Sequence, residues 1–344
     1  MDLASKYRPR TLDDVVEQET VVKILKNLCS NGLVNRNFLF VGPAGTGKTS
    51  TARALINTLN DGVDSDVTEV DAASYSGVDS MRELIKQMHT YPLKGKYKCF
   101  ILDEVHAFSN QAWQSCLKTL EESPAKTVVC LCTTNPEKIP ATILSRVQVF
   151  QLSKISLDGI QKRLKYILDN EGYSEGEGEN AYSLDAVNYV GKLANGGMRD
   201  AITLLTKVIA YGDRIDMQSV KTALNLPNYD MYFELLNALV KKNNEAIVGI
   251  ISDVYDSGVN FIEWFSGFHS FLCNIVKYIC MRDISKTMIP SIYDTKIQGY
   301  GMSHLSVCLR LSQRILDLIK DLKGTQYLQE VAITYLCSAP TRKA

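Results

Sequence analysis

The sequence lacks the cysteine and histidine spacings of disulfide and zinc frameworks. Its nine cysteines include no C-x-x-C pair, and its four histidines are scattered. The two closest cysteines, Cys130 and Cys132, share one face of an apolar run, as small core residues of a strand do. We therefore expect reduced structural thiols. The remaining cysteines, which also lie in apolar patterns, are Cys29, Cys99, Cys116, Cys273, Cys280, Cys308 and Cys337.

Net charge and long apolar runs are also missing. The 344 residues carry a formal net charge of zero, so no global basic field attracts nucleic acid or anionic lipid. No apolar stretch approaches the ~20 residues of a membrane span, and the segment 1–10 has no apolar core of a secretory signal. These absences predict a soluble intracellular protein in which any DNA contact is a local patch or depends on an assembly.

A glycine-rich loop is the strongest signal that the sequence does contain. Residues 42–49 read Gly-Pro-Ala-Gly-Thr-Gly-Lys-Thr and follow the apolar run Asn37–Val41. A strand, such a loop and a helix from about Lys48 form a phosphate-binding loop, in which backbone N–H groups and the helix N-terminus hold phosphates. A chance glycine-rich turn is the alternative. The predicted nucleotide-binding residues here are Gly42, Pro43, Ala44, Gly45, Thr46, Gly47, Lys48, Thr49 and Ser50.

Two adjacent carboxylates end a later apolar strand, Lys98-Cys-Phe-Ile-Leu-Asp103-Glu104. We expect Asp103 to hold Mg²⁺ through water, with the Thr49 hydroxyl as a direct ligand. Glu104 is the predicted group that polarises an attacking water. A solvated turn is the alternative for such a pair. Together with the phosphate loop, the pair favours hydrolysis of a nucleoside triphosphate over binding alone.

The hydrophobic pattern changes near residue 152. Before it, strand and helix patterns alternate, as a parallel α/β sheet requires, and Val147–Leu152 is the last predicted strand. After it the pattern is helical, interrupted by the acidic, glycine-rich tract 170–180, which we expect to be a flexible loop. There is no internal repeat.

Several further motifs resemble one family. They are Lys6-Tyr-Arg-Pro-Arg-Thr-Leu-Asp-Asp14, Asp103-Glu-Val-His106, Leu117-Lys-Thr-Leu-Glu-Glu-Ser-Pro124, Thr133-Thr-Asn-Pro-Glu-Lys-Ile-Pro140 and Ile143-Leu-Ser-Arg146. With the phosphate loop they are similar to AAA+ clamp-loader ATPases, and more closely to the gamma/tau family of bacterial DNA polymerase III. The resemblance is distinctive through residue 225 and weaker beyond. It implies an ATPase within a ring-like pentamer that opens a sliding clamp and sets it on primed DNA.

The resemblance also implies roles for individual residues. Thr134 matches sensor 1, near the γ-phosphate, and a core threonine is the alternative. Arg146 matches the arginine finger that reaches the neighbouring subunit's nucleotide, a use that suits a guanidinium fork; a solvated surface cation is the alternative. Arg199 matches sensor 2, with a salt bridge to Asp200 as the alternative. The segment that would cover the adenine comprises Tyr7, Arg8 and Pro9.

The sequence departs from the family pattern at three places. Val147 stands where the family usually has cysteine, a change that we expect to affect packing only. Bacterial members carry a four-cysteine zinc module after the phosphate-loop helix, whereas residues 59–67 contain no cysteine, so no zinc is expected there. The tau-type extensions that grip helicase and polymerase are also absent, which suggests a trimmed version from a phage or an unusual bacterium.

These patterns predict a three-part architecture. Residues 1–156 are expected to form an AAA+ α/β P-loop domain, 157–226 a helical lid with sensor 2, and 227–344 an all-α collar for oligomerisation. The predicted protein is a cytoplasmic, DNA-binding ATPase (host cytoplasm if phage-encoded) that uses ATP and Mg²⁺. Its expected partners are a sliding clamp, other loader subunits and primer-template DNA, and no membrane. The alternatives are a non-hydrolysing scaffold subunit and a hexameric branch-migration motor.

Two segments are candidates for DNA contact. The small polar segment before a predicted helix can offer backbone donors to phosphates without net charge; it comprises Ser74, Tyr75, Ser76 and Gly77. The alternating lysines Lys94, Lys96 and Lys98 are basic, but such alternation before a strand is typical of a solvated face.

Overall fold

A computed structural model describes residues 2–31, 36–75, 77–226, 228–290 and 293–338 of the chain. It divides into two compact units, residues 1–219 and 220–344. No helix in these parts of the chain combines the length and apolar character that crossing a bilayer requires.

The first unit is organised around a five-stranded parallel sheet with the strand order β2-β3-β4-β1-β5. Because all strands run in the same direction, their carboxyl ends meet at one edge, where ligands bind in open α/β sheets. Strand β4 lies between β1 and β3, so the residues that follow these three strands are neighbours. The strands are β1 (Asn37–Val41), β2 (Val67–Asp71), β3 (Lys98–Asp103), β4 (Thr127–Thr133) and β5 (Gln148–Gln151).

Both faces of this sheet are covered by helices, which explains the nearly continuous apolar composition of β1, β3 and β4. Phe38 and Phe40 of β1 pack with the helices before and after the phosphate loop. Leu39 and Val41 point to the opposite face and pack with the later helices. The helices of this region are α1 (Leu3–Lys6), α2 (Glu19–Asn31), α3 (Lys48–Leu59), α4 (Val78–Met88), α5 (Asn110–Glu121) and α6 (Ala141–Leu144).

Three further helices complete the first unit, and α10 (Met217–Ala223) contains the point at which the two units divide. These helices are α7 (Leu157–Asn170), α8 (Leu184–Leu193) and α9 (Met198–Tyr211). Ser156 and Ser183 cap α7 and α8 by accepting a hydrogen bond from the backbone N–H three residues on.

The prediction that strands end near residue 152 is wrong. A small three-stranded sheet forms from β6 (Ser174–Glu175), β7 (Ala181–Tyr182) and β8 (Arg214–Ile215). Strand β6 lies inside the acidic tract that the sequence predicts to be a flexible loop. Each strand has only two residues, which is too short to show an alternating pattern.

The second unit is helical in its described residues, with an aromatic core. Tyr232 is fully buried, and its ring packs against those of Trp264, Phe268 and Phe271. Its hydroxyl donates a hydrogen bond to the carbonyl of Trp264 at 3.1 Å. The main helices are α11 (Tyr229–Lys241), α12 (Asn244–Asp256), α13 (Phe261–Met281), α14 (Asp294–Gln298), α15 (Met302–Leu322) and α16 (Leu328–Cys337).

All nine cysteines are free thiols. Burial raises the pKa of the Cys99 and Cys116 thiols to about 12 and that of Cys130 and Cys132 well above the ordinary value. Buried, protonated thiols of this kind are unreactive. Cys280 is exposed, contrary to the expectation of a core position.

Candidate nucleotide-binding site

The phosphate loop (residues 42–49) joins the carboxyl end of β1 to the start of α3. Gly45 and Gly47 have φ angles of +73° and +98°, which side-chain-bearing residues rarely adopt. Gly47 is the N-cap residue of α3, so the loop turns its backbone towards the positive end of the helix dipole. This is the local geometry that a phosphate chain requires.

Lys48 is buried beside the loop, and its ammonium group contacts the first residues of the loop. The Nζ atom donates hydrogen bonds to the carbonyl oxygens of Gly42 and Pro43, both at 3.0 Å. Thr46 closes the turn by donating from its hydroxyl to the Pro43 carbonyl at 2.9 Å. A cation at this position lies within the loop that would hold the β and γ phosphates.

Thr49 and Asp103 come together across the sheet edge. The Thr49 hydroxyl donates to Asp103 Oδ2 at 2.6 Å, and the Glu104 N–H donates to Asp103 Oδ1 at 2.9 Å. A hydroxyl and a carboxylate are the hard oxygen donors that Mg²⁺ prefers, and Mg²⁺ usually takes only one or two protein ligands together with phosphate oxygens and water. The arrangement therefore fits the predicted metal. No cluster of three or more His, Cys, Asp or Glu side chains suited to a metal occurs in the described ranges, and the expectation of no zinc stays a prediction.

Glu104 is placed by an unusual backbone conformation. Its φ of +48° lies in the left-handed region, which is costly for a residue with a side chain and is most often kept at functional sites. The carboxylate accepts a hydrogen bond from the Thr134 hydroxyl at 3.1 Å. It also lies 3.2 Å from Nδ1 of His106, whose ring in turn lies 3.1 Å from the Thr133 hydroxyl. The structure thus brings the predicted water-activating group and the sensor 1 residue into direct contact.

A cavity of about 540 Å³ extends from the phosphate loop to the N-terminal segment. Tyr7, Arg8 and Pro9 line one side of it, and Arg163 and Arg199 line another. Tyr7 is fixed there, because its hydroxyl donates to Glu171 Oε1 at 2.6 Å and its carbonyl accepts from Arg163 at 2.8 Å. Burial, reinforced by this carboxylate, raises the pKa of Tyr7 to about 12. The tyrosine therefore stays neutral, and its side chain lines the same cavity as the phosphate loop.

The start of α9 reaches the phosphate loop. The Met198 N–H donates to the Gly45 carbonyl at 2.9 Å. A Cβ atom at Gly45 would lie 2.9 Å from the Gly197 Cα atom, so glycine is required for this approach. Arg199, in the first turn of α9, is exposed and lines the nucleotide cavity. Among the described residues it forms no ion pair with Asp200, the alternative raised by the sequence.

Arg146 lies at the opposite edge of the sheet. Its carbonyl is 3.4 Å from the side-chain nitrogen of Asn37, the first residue of β1, whereas the phosphate loop follows the last residue of β1. At about 3.3 Å per residue, the strand separates these positions by roughly 13 Å. The structure therefore does not bring Arg146 to the phosphate loop of its own chain.

The candidate DNA-contact segment is only partly available. The N–H groups of Ser74 and Tyr75 donate to the carbonyls of Asp71 and Ala72, at 3.0 and 3.2 Å, and are used within the turn. Gly77 is the N-cap of α4, and Ser76 lies outside the described residues. Any phosphate contact here would come from the first turn of α4, and this assignment stays a prediction.

Comparisons with known proteins agree with the geometry of the site. A family model described as DNA polymerase III, delta subunit, matches residues 64–156. The tau subunit of Salmonella typhimurium (strain LT2) is 35% identical over 283 residues, which cover 76% of this chain and 42% of that protein. The gamma subunit of Buchnera aphidicola subsp. Baizongia pistaciae is 33% identical, covering 86% of this chain and 82% of that protein. The chain belongs to the DNA polymerase III gamma/tau family.

The gamma/tau relatives differ in length. This chain spans 42% of the Salmonella tau subunit, so the activities of that whole protein do not transfer to it directly. Among solved structures, the Thermotoga maritima RuvB Holliday junction branch migration motor matches with a TM-score of 0.53 at 18% identity, over 68% of this chain and 79% of that one. Similarity at that level of identity shows the fold alone. The predicted AAA+ α/β fold and the gamma/tau resemblance are both confirmed.

Sequence reasoning missed four residues that contact the predicted site residues. They are Glu121, which pairs with Arg146, His106, which contacts Glu104, and Arg163 and Glu171, which hold Tyr7. Only His106 and Glu121 lie in motifs that the sequence distinguishes, and nothing in those motifs indicates their partners.

Proposed function

We propose that the chain is an ATPase subunit of a sliding-clamp loader, which couples ATP binding and hydrolysis to opening of a clamp and its placement on primer-template DNA. Membership of the gamma/tau family supports the biological setting. The observation that carries the proposal is the division of the catalytic groups. The residues to which we assign ATP binding and water activation adjoin one edge of the sheet, and Arg146, the proposed arginine finger, lies at the other.

The site residues divide the chemistry among them. Backbone N–H groups of the phosphate loop and the Lys48 ammonium bind the phosphates and neutralise their charge. Thr49 directly and Asp103 through water would hold Mg²⁺, which would supply further positive charge beside the phosphates. Glu104 accepts the proton of the attacking water, and Thr134 holds the glutamate in place by its hydrogen bond.

Two arginines that lie apart from these residues complete the proposed site. Arg199 stands on the first turn of α9, whose backbone already touches the phosphate loop, and would contact the nucleotide from the lid. Arg146 would contact the nucleotide of a neighbouring subunit, a role that its distance from its own loop supports. Activity then belongs to an oligomer, for which a pentamer with other loader subunits is proposed.

We also propose a role for each of three parts of the chain. Residues 1–156 would be the nucleotide-binding domain, 157–226 a lid that carries Arg199, and 227–344 a collar that holds the oligomer together. The clamp, primer-template DNA and other loader subunits are the proposed partners, and the cytoplasm is the proposed compartment.

Two substitutions separate binding from hydrolysis. Lys48→Ala should abolish ATP binding, because the lysine meets the phosphates in the ground state. Glu104→Gln should bind ATP normally and lose about 10²–10⁴ in hydrolysis rate, the usual contribution of a general base. Binding is measured with a fluorescent ATP analogue and hydrolysis by phosphate release. Equal loss of binding in both variants would refute the role of Glu104, and normal hydrolysis by Lys48→Ala would refute the proposed site.

A further inference from the structure

Arg146 is held by several contacts within its own chain. Glu121 Oε2 accepts from Arg146 Nη2 at 2.9 Å and from Nε at 3.3 Å. On the other side, Nη1 donates to the Thr142 carbonyl at 2.7 Å and lies 3.3 Å from the Ser145 hydroxyl. All three guanidinium nitrogens therefore have an acceptor in the same subunit.

These contacts leave part of the guanidinium available to a partner. The group carries five N–H donors, and its four contacts with described residues leave one Nη2 hydrogen unused there. The Ser145 contact is as long as the Nε–Glu121 contact, 3.3 Å, but its acceptor is neutral, so it is the weaker of the two and is more easily exchanged for a partner's oxygen. The side chain keeps 28% of its surface exposed and lines an open cavity of about 560 Å³ together with Glu121, Asn37 and Arg36.

A free arginine at this place would sample many rotamers. Its side chain carries about 2 kcal/mol of rotamer entropy, and a charge stabilises a transition state most when it needs no reorganisation at the moment of reaction. Glu121 is the last residue of α5, whose buried residues pack on the sheet, so the ion pair ties the guanidinium to an anchored helix.

We propose that Glu121 is a positioning residue for Arg146, which holds the guanidinium by its Nε–Nη2 edge and directs it towards the nucleotide of the neighbouring subunit. This inference rests on the proposed function and adds to it a residue that acts through Arg146. Its contribution is to the rate at the neighbour's site. The stability of its own fold changes little, because an ion pair whose carboxylate is 60% exposed contributes little to folding.

The first test measures ATP hydrolysis by the assembled loader with clamp and primed DNA. Glu121→Gln should lower kcat about tenfold while leaving KM within about twofold, because Arg146 acts in the transition state. Glu122→Gln is the matched control, since Glu122 is the next residue, is exposed and forms no ion pair in the described residues. It should hydrolyse ATP at the wild-type rate, and the melting temperature of both variants should match that of the wild type.

The second test locates the defect by mixing variants in one assembly. Assemblies that mix Glu121→Gln subunits with Lys48→Ala subunits should recover partial ATPase activity. At some of their interfaces, the intact phosphate loop of a Glu121→Gln subunit meets the intact Glu121–Arg146 pair of a Lys48→Ala subunit. Glu121→Gln with Arg146→Ala should recover none, since both variants are defective on the same side of the interface.

The outcomes separate this inference from the proposed function. If Arg146→Ala loses activity but Glu121→Gln keeps the wild-type kcat, Glu121 has no positioning role and the finger assignment stands. If mixing with Arg146→Ala subunits restores activity to Glu121→Gln assemblies, the defect of Glu121→Gln lies at its own phosphate loop. The inference is then wrong. If Arg146→Ala itself hydrolyses ATP at the full rate, both the finger and its positioning residue are refuted.

Discussion

At the scale of single residues, the buried carboxylate of Asp66 shows how one side chain organises a loop of the sheet domain. Asp66 is 4% exposed and accepts hydrogen bonds from three consecutive backbone N–H groups, of Leu93, Lys94 and Gly95, at 2.5, 2.8 and 2.7 Å. It thereby fixes the loop that leads into β3, the strand that ends at Asp103. Burial alone would raise the pKa of Asp66, but the three N–H donors outweigh it and lower the pKa below 3.8.

Asp66→Asn should therefore destabilise the protein by about 2 kcal/mol, because charge-assisted hydrogen bonds are replaced by neutral and partly mismatched ones. Because the pKa of Asp66 is lower in the folded state than in the unfolded state, its ionised form stabilises the fold. This contribution is complete above about pH 5 and is lost as the pH falls through the folded-state pKa. The difference between wild type and variant, measured by urea unfolding, should be constant from pH 8 to about 5 and shrink below it. Asp64→Asn, at an exposed position, is the control. A difference that grows at low pH would contradict this account.

Sequence reasoning at the residue scale predicted the positions of those site residues that lie in strand-end motifs, and their chemical roles stay predictions. The phosphate loop, Glu104 and Thr134 each follow a parallel strand and Asp103 ends one, so the strand order brings them together. The partners Glu121 and Glu171 were missed because their contacts join residues 25 and 164 positions apart, through side chains on separate elements. A single sequence carries no pattern for such pairs.

At the scale of helices and strands, periodicity predicted the long elements well. The predicted strand Asn37–Val41 has the observed bounds, and the helix predicted from about Lys48 begins at that residue. The strand is a continuous apolar run, and the helix follows directly from the glycine-rich loop. The two-residue strands β6, β7 and β8 were missed, because two residues are too few to show an alternating pattern.

Two glycines inside helices give a matched test of packing in the second unit. A Cβ atom at Gly267, in α13, would lie 2.2 Å from the Tyr232 hydroxyl oxygen, whereas one at Gly249, in α12, would meet nothing within 4 Å. Gly267→Ala should destabilise the protein by about 1–3 kcal/mol by overpacking. Gly249→Ala should stabilise it by about 0.5–1 kcal/mol, because alanine is the better helix former. Chemical denaturation measures both, and a Gly267→Ala variant at least as stable as the wild type would show that the Tyr232 contact is not tight.

At the scale of the whole molecule, the arrangement of the catalytic groups explains why activity would require an assembly. One chain carries the proposed ATP-binding and water-activating residues at the carboxyl edge of its sheet and the proposed finger, Arg146, at the other edge. The fold alone does not distinguish a clamp loader from a branch-migration motor, since RuvB shares it at 18% identity. The gamma/tau relatives, at 33–35% identity, make the clamp loader the better supported proposal.

The most direct test of this account mixes two inactive variants. Arg146→Ala should bind ATP but hydrolyse it about 10³–10⁵ times more slowly, the effect of losing an arginine finger in related phosphoryl transfer. Lys48→Ala should be inactive because it does not bind ATP. Mixed assemblies should regain partial activity, since some interfaces pair the intact phosphate loop of one variant with the intact finger of the other. A mixture that stays inactive although mixed oligomers form, or full activity of dilute monomers, would contradict the account.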